Sequence, residues 1–158
     1  MATSTEAETF DFIVSGAGSA GAAVAGRLSE DGRHRVLLLE AGPPDTNPWI
    51  HIPLGFAKTY VDPRVNWKFE SAPQPQFNNR RIYVPRGKTL GGTSSINGMV
   101  YMRGHPQDYN EWRQRGCVGW DWDGVLPFFK KAENQARGAS ELHGVGGPLN
   151  VSDPVQGS

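Results

Sequence analysis

Only one cysteine, Cys117, occurs in the chain, so neither an intrachain disulfide framework nor a cysteine-built zinc cluster can form. Excess charge is also missing. Lys plus Arg and Asp plus Glu both number 16 in 158 residues, which argues against electrostatic binding of nucleic acid through a basic face. No stretch approaches the ~20 consecutive apolar residues of a membrane-spanning helix. The start, Met1 to Thr9, is polar and acidic, without the basic opening and apolar centre of a secretory signal, and reads as a disordered tail. These absences point to a cytoplasmic setting and to neither nucleic acid nor a membrane span as partner. His34, His51, His105 and His143 lack the spacing of metal ligands, so no metal site is expected.

What the chain does have is glycine and proline. Gly (20) and Pro (12) make up about a fifth of the residues, short of the roughly 25–30% that marks low complexity. The excess implies ordered but irregular chain. Two glycine-rich loops dominate it: Gly16-Ala17-Gly18-Ser19-Ala20-Gly21 and Gly87-Lys88-Thr89-Leu90-Gly91-Gly92-Thr93-Ser94-Ser95-Ile96-Asn97-Gly98. Gly87-Lys88-Thr89 is not the end of a phosphate-binding P-loop, because Ile82 stands where that motif needs glycine.

Around the first loop the apolar pattern predicts a buried strand over Phe10–Ser15, a helix over Ser19–Glu30 and a second buried strand over Arg35–Glu40. Ala20, Val24 and Leu28 share the expected inner face of the helix. This is a right-handed βαβ unit. Gly16 permits the tight turn, Gly18 removes a Cβ from the path of a phosphate, and Gly21 lets helix and strand approach. Glu40 ends the second strand, where a carboxylate accepts hydrogen bonds from adenosine ribose hydroxyls. The motif predicts a dinucleotide without choosing between FAD and NAD.

Eight prolines between Ala41 and Pro85 forbid a long helix there, and Trp49, Phe56, Tyr60, Trp67 and Phe69 argue for packing. An extended excursion with a short strand at Ile82–Val84 is expected. A helix should open near Ser94-Ser95, another should run from Pro106 to Gln114, and Asp123 should cap a third through Val125–Lys131. Lys130-Lys131 reads as a solvated helix end, Cys117 as a packed or partly exposed thiol, and Trp112, Trp120 and Trp122 as core. Leu149–Val151 looks strand-like. Gly91-Gly92-Thr93-Ser94-Ser95 suits a concave row of amide donors for an electron-rich group, or equally a capped helix start.

The run Arg86 to Gly104, RGKTLGGTSSINGMVYMRG, resembles the first signature of the glucose–methanol–choline (GMC) oxidoreductases, nearest to the choline-dehydrogenase-like alcohol dehydrogenases. Asn66-Trp67, Pro73-Gln74, His105-Pro106, Asp108-Tyr109, Gly119-Trp120, Val125-Leu126-Pro127 and His143-Gly144 extend the likeness from about Phe10 to Pro154. The resemblance implies an α/β, Rossmann-like FAD-binding domain. With only two convincing strands, it is read as an incomplete, N-terminal portion of the GMC fold, carrying a Pro-rich excursion. The expected segments are 1–9 (tail), 10–45 (ADP-binding βαβ unit), 46–84 (excursion or lid), 85–104 (flavin loop) and 105–158 (helical segment and strand start).

By the same resemblance Gly16, Gly18, Ser19, Ala20 and Gly21 would hold the pyrophosphate, and Glu40 with Ala41 the adenosine. Arg86, Gly87, Leu90, Gly91, Gly92, Ser94, Asn97, Gly98, Met99 and Val100 would line the flavin. Some relatives attach FAD through a histidine at the position of Ile96. Isoleucine cannot do this, so noncovalent FAD is implied. The implied reaction takes a hydride from an alcohol carbon to flavin N5 while a base removes the hydroxyl proton. None of the four histidines matches the family's base, so no catalytic residue is assigned and a second polypeptide carrying the remainder is a candidate partner. A flavin-dependent lyase or photodecarboxylase on the same scaffold, or a noncatalytic FAD-binding fragment, remains the alternative.

Overall fold

The structure, a computed structural model, describes residues 8–153. The acidic tail expected over 1–9 therefore lies mostly outside the described residues. The chain separates into two compact units, the first ending at Val100 and the second beginning at Tyr101.

The first unit is built on β1 (Phe12–Ser15), α1 (Ser19–Ser29) and β2 (Val36–Leu39). The strands run parallel, Phe12 beside Val36 and Ser15 beside Leu39, and the Gly16 amide extends the ladder to the Leu39 carbonyl at 2.7 Å. This is the expected strand–helix–strand order, with two corrections. The helix face turned inward carries Gly21, Ala25 and Leu28, whereas Ala20 is exposed and Val24 half-exposed. The strands are less buried than expected, with Ile13 64% and Leu39 48% exposed. Side chains alternate across a sheet. Val14 lies on the helix side, its Cγ1 near Gly21, and among the described residues of this unit nothing comparable covers the Ile13 side.

The proline-rich excursion folds as short pieces. Single 3-10 turns begin at Pro48, Pro53 and Pro75, each proline occupying the first turn position, where its fixed φ fits and its missing N–H costs nothing. A one-turn helix, α2 (Phe56–Thr59), follows the second. β3 (Phe69–Glu70) pairs antiparallel with β4 (Tyr83–Val84), so the expected strand is present and gains a partner. No helix opens at Ser94-Ser95. Gly92–Ser95 makes one 3-10 turn that stops at Ile96. The serine hydroxyls explain the stop, because Ser94 Oγ and Ser95 Oγ donate back to the carbonyls of Gly91 and Leu90.

In the second unit α3 (Pro106–Gln114) matches the expectation, and His105 and Asp108 close a reciprocal cap at its start. α4 (Trp122–Ala132) begins two residues earlier than expected. Asp121, not Asp123, caps it by accepting from the Gly124 amide at 2.9 Å, and Pro127 lies inside the helix. Tyr109 is the buried centre, in ring contact with Trp112, Trp122 and Phe129. Trp112 and Trp120 stay about half-exposed, and Cys117 is exposed.

β5 (Glu133–Gln135) pairs parallel with β6 (Leu149–Val151). Glu133 is fully buried between His143 Nδ1 at 2.8 Å, the Gly144 amide at 3.3 Å and the Arg103 guanidinium. Burial opposes the Glu133 charge, but the His143 and Gly144 hydrogen bonds and the Arg103 charge hold its carboxyl below the usual range. His143, in a loop and with its side chain 41% exposed, is thus a structural partner of Glu133.

Candidate functional site

At the tip of the βαβ unit the backbone turns through Gly16 at φ +94°, a value that favours glycine. A Cβ on Gly16 would meet nothing within 4 Å, and one on Gly18 would meet only the Gly92 Cα at 3.9 Å. Both positions therefore face open space. Gly21 differs: its Cβ would lie 1.8 Å from the Gly16 carbonyl, so its absence is what allows α1 to rest against the loop. No side chain caps α1, and the amides of Gly18, Ala20 and Gly21 donate to no group among the described residues. The helix N-terminus thus presents unsatisfied N–H groups and the positive end of its dipole to the opening, an arrangement suited to a diphosphate.

Glu40 stands across the opening at the end of β2. Its Oε2 accepts the Ala17 amide at 2.8 Å and its Oε1 the Gly42 amide at 2.9 Å. Each oxygen keeps a further lone pair for a hydroxyl donor.

The second loop meets the first backbone to backbone. The Gly91 amide donates to the Ala17 carbonyl at 2.8 Å, and Gly18 and Gly91 form an isolated parallel bridge. A Cβ on Gly92 would lie 2.8 Å from the Gly18 Cα, and one on Gly87 would lie 2.1 Å from Gly92. The expected row of free amides is mostly closed onto the protein, since those of Gly91, Gly92 and Ser94 donate to Ala17, Thr89 and Gly91. The second loop acts mainly as a brace for the first.

A cleft of about 770 Å³ opens here, lined by residues that include Gly16, Gly18, Ser19, Ala20, Gly21, Glu40, Ala41, Arg86, Gly87 and Gly92. That volume falls within the ~300–1,000 Å³ common for small-molecule sites. Leu90, Gly91, Ser94, Asn97, Gly98, Met99 and Val100 do not line it, and the last four are exposed. Trp67 and Thr93 also line the cleft, where no spacing in the sequence marks them as contacts, although both lie in the segments that carry the family resemblance. Arg86 has no acidic partner within 4 Å among the described residues; its Nη1 lies 3.5 Å from Thr93 Oγ1. A smaller cleft of about 320 Å³ among Pro43, Pro48, Trp49 and Arg64 has one charged lining residue, Arg64, already paired with Asp62. No histidine lines either cleft.

Fold and site together define a dinucleotide-binding α/β segment. Over residues 10–157 the chain matches the GMC oxidoreductase family model, and it belongs to that family. It is 51% identical over 141 residues to the oxygen-dependent choline dehydrogenase of Rhizobium rhizogenes, covering 89% of this chain and 26% of that protein. It is 54% identical over 145 residues to the alcohol dehydrogenase [acceptor] of Pseudomonas putida, covering 91% and 26%. The crystal structure of pyridoxine 4-oxidase from Mesorbium loti superposes with a TM-score of 0.82 at 39% identity, over 90% of this chain and 28% of that one. The chain spans about a quarter of the length of the curated relatives it matches. The family carries FAD, the cofactor expected from the sequence. No helix among the described residues is long and apolar enough to cross a membrane.

Proposed function

We propose that the chain supplies the FAD-binding N-terminal segment of an oxidoreductase that acts on the CH–OH group of an alcohol. The observation that carries this reading is the pair of glycine loops braced through Gly18, Gly91 and Gly92 beside an uncapped helix N-terminus. The residues fit the cofactor: Gly18, Ser19, Ala20 and Gly21 would hold the diphosphate, Glu40 with Ala41 the adenosine ribose, and Arg86, Gly87 and Gly92 the part beyond. When bound, FAD supplies the hydride acceptor for alcohol oxidation. The chain's own task is to present donors to the diphosphate, an acceptor to the ribose and the Arg86 guanidinium, which has no acidic partner among the described residues.

Leu90, Gly91, Ser94 and Asn97 to Val100 are assigned to the flavin end, with contacts formed as further polypeptide closes over them. That polypeptide, from the same protein or a second one, would also bring the base that accepts the hydroxyl proton, since no histidine lines the cleft. A small-molecule alcohol is the proposed substrate. A reducing compartment such as the cytoplasm suits the lone exposed Cys117.

FAD is proposed to be noncovalent, because buried Ile96 offers no nucleophile. The test is a visible spectrum of natively purified protein, any companion polypeptide included, followed by acid precipitation. Flavin absorbance released into the supernatant is expected. Colourless protein that refuses added FAD would overturn the assignment.

A further inference from the structure

Asn66 has all four hydrogen-bonding positions of its side chain filled inside the protein, and it is only 2% exposed. Oδ1 accepts the Lys68 amide at 2.9 Å and the Arg86 amide at 3.0 Å. Nδ2 donates to the Tyr60 carbonyl at 2.8 Å and to the Tyr83 hydroxyl at 3.1 Å. The amide orientation is forced, because two N–H donors face one end and a carbonyl faces the other.

The consequence reaches the cleft. Trp67 and Arg86 are both lining residues, and both are fixed by Asn66 through the backbone. Lys68 takes φ +54°, a left-handed value uncommon for lysine, and the Asn66 Oδ1 bond to its amide closes that turn. Trp67 is thereby pinned between two residues held by the same oxygen, while its own amide donates to the Arg86 carbonyl at 2.9 Å. Its ring stacks on Phe69 at 5.9 Å, and Lys88 Nζ lies 4.5 Å from its centroid. One small polar side chain thus joins the excursion to the second loop where they form a wall of the cleft.

We propose that Asn66 is a positioning residue for FAD, setting the placement of Trp67 and Arg86 without touching the cofactor itself. This rests on the reading of the cleft as the FAD site. The full chain is compared with Asn66→Leu, Asn66→Asp and Tyr83→Phe, using amide hydrogen exchange without FAD and titration with FAD. Asn66→Leu removes both acceptors, so exchange at Lys68 and Arg86 is expected to accelerate at least about tenfold and FAD binding to weaken by a similar factor. Asn66→Asp keeps both acceptors and is expected to keep both amides slow. Tyr83→Phe lowers stability from the opposite side of Asn66 and is expected to leave FAD affinity within about twofold, which separates positioning from mere folding.

Unchanged FAD affinity in Asn66→Leu, or equal weakening in Tyr83→Phe, would overturn the proposal. Should Asn66→Leu not fold, Asn66→Asp decides: FAD affinity that follows the protection of the Lys68 and Arg86 amides supports the proposal, and a change in either without the other overturns it. An unsubstituted chain that takes no FAD would overturn the reading of the cleft instead, with amide exchange still deciding what Asn66 holds.

Discussion

Ala17 and Glu40, 23 positions apart, are joined by a 2.8 Å hydrogen bond from the Ala17 amide to the Glu40 carboxylate. The other carboxylate oxygen accepts from Gly42, so the side chain ties the first glycine loop to the exit of β2 before any ribose arrives. Glu40→Ala leaves two backbone donors without their acceptor. A loss of about 1–3 kcal/mol is expected, read as a lower urea midpoint with an unchanged slope. If Glu40 served the cofactor alone, stability in the absence of FAD would not change.

Two glycines in α1 should respond in opposite directions to the same substitution. Gly21→Ala drives a methyl group to 1.8 Å from the Gly16 carbonyl and should cost about 1–3 kcal/mol or more, with loss of FAD binding. Gly26→Ala meets nothing within 4 Å in mid-helix and should stabilise by about 0.5–1 kcal/mol. Thermal unfolding of the two variants side by side checks both signs.

Glu133 gives the acid limb of stability a specific source. Its carboxyl is held below the ordinary value of 4.5, so its contribution is fully present above that value and drains away as pH falls through the folded-state value. Glu133→Gln should flatten this part of the stability–pH curve. At neutral pH it should also cost about 3–5 kcal/mol, because Arg103, only 10% exposed, loses its counter-charge. Chemical denaturation from pH 3 to 7 measures both effects. The pairs Arg64–Asp62 and Arg137–Asp153, whose arginines are largely exposed, should contribute little to the difference.

The parts of this fold that were legible in the sequence are those whose signal is local and repeated. The βαβ unit follows from two apolar runs and a helical period, and α3 from Pro106 and Asp108 at its start. The pairing of Phe69–Glu70 with Tyr83–Val84 was half visible, because two residues per strand carry almost no pattern without their partner. The 3-10 turns at Pro48, Pro53 and Pro75 lie in a stretch whose pattern resembles extended chain, although proline at the first turn position is their signature. Asp121 and Asp123 are equivalent in composition as caps, and only the Gly124 amide distinguishes them.

At the site, the glycines and Glu40 announced themselves through spacing. Trp67 did not, because its place depends on hydrogen bonds between the Asn66-Trp67 segment and the backbone of Arg86, 20 positions after Asn66. Glu133 was invisible for a related reason. A lone acid after a helix gives no hint that an arginine 30 residues before it and a histidine 10 after it will enclose it.

The contact of Gly18 with Gly92 has a consequence for how this chain can change. Bulk added at position 92 meets the α-carbon of position 18, and trimming the opposite residue cannot relieve it, because glycine has nothing left to trim. Compensation by a second substitution at the pair is therefore closed off. Only a shift of main chain in both bends could accommodate a larger residue, so the two loops are bound to vary as a single unit.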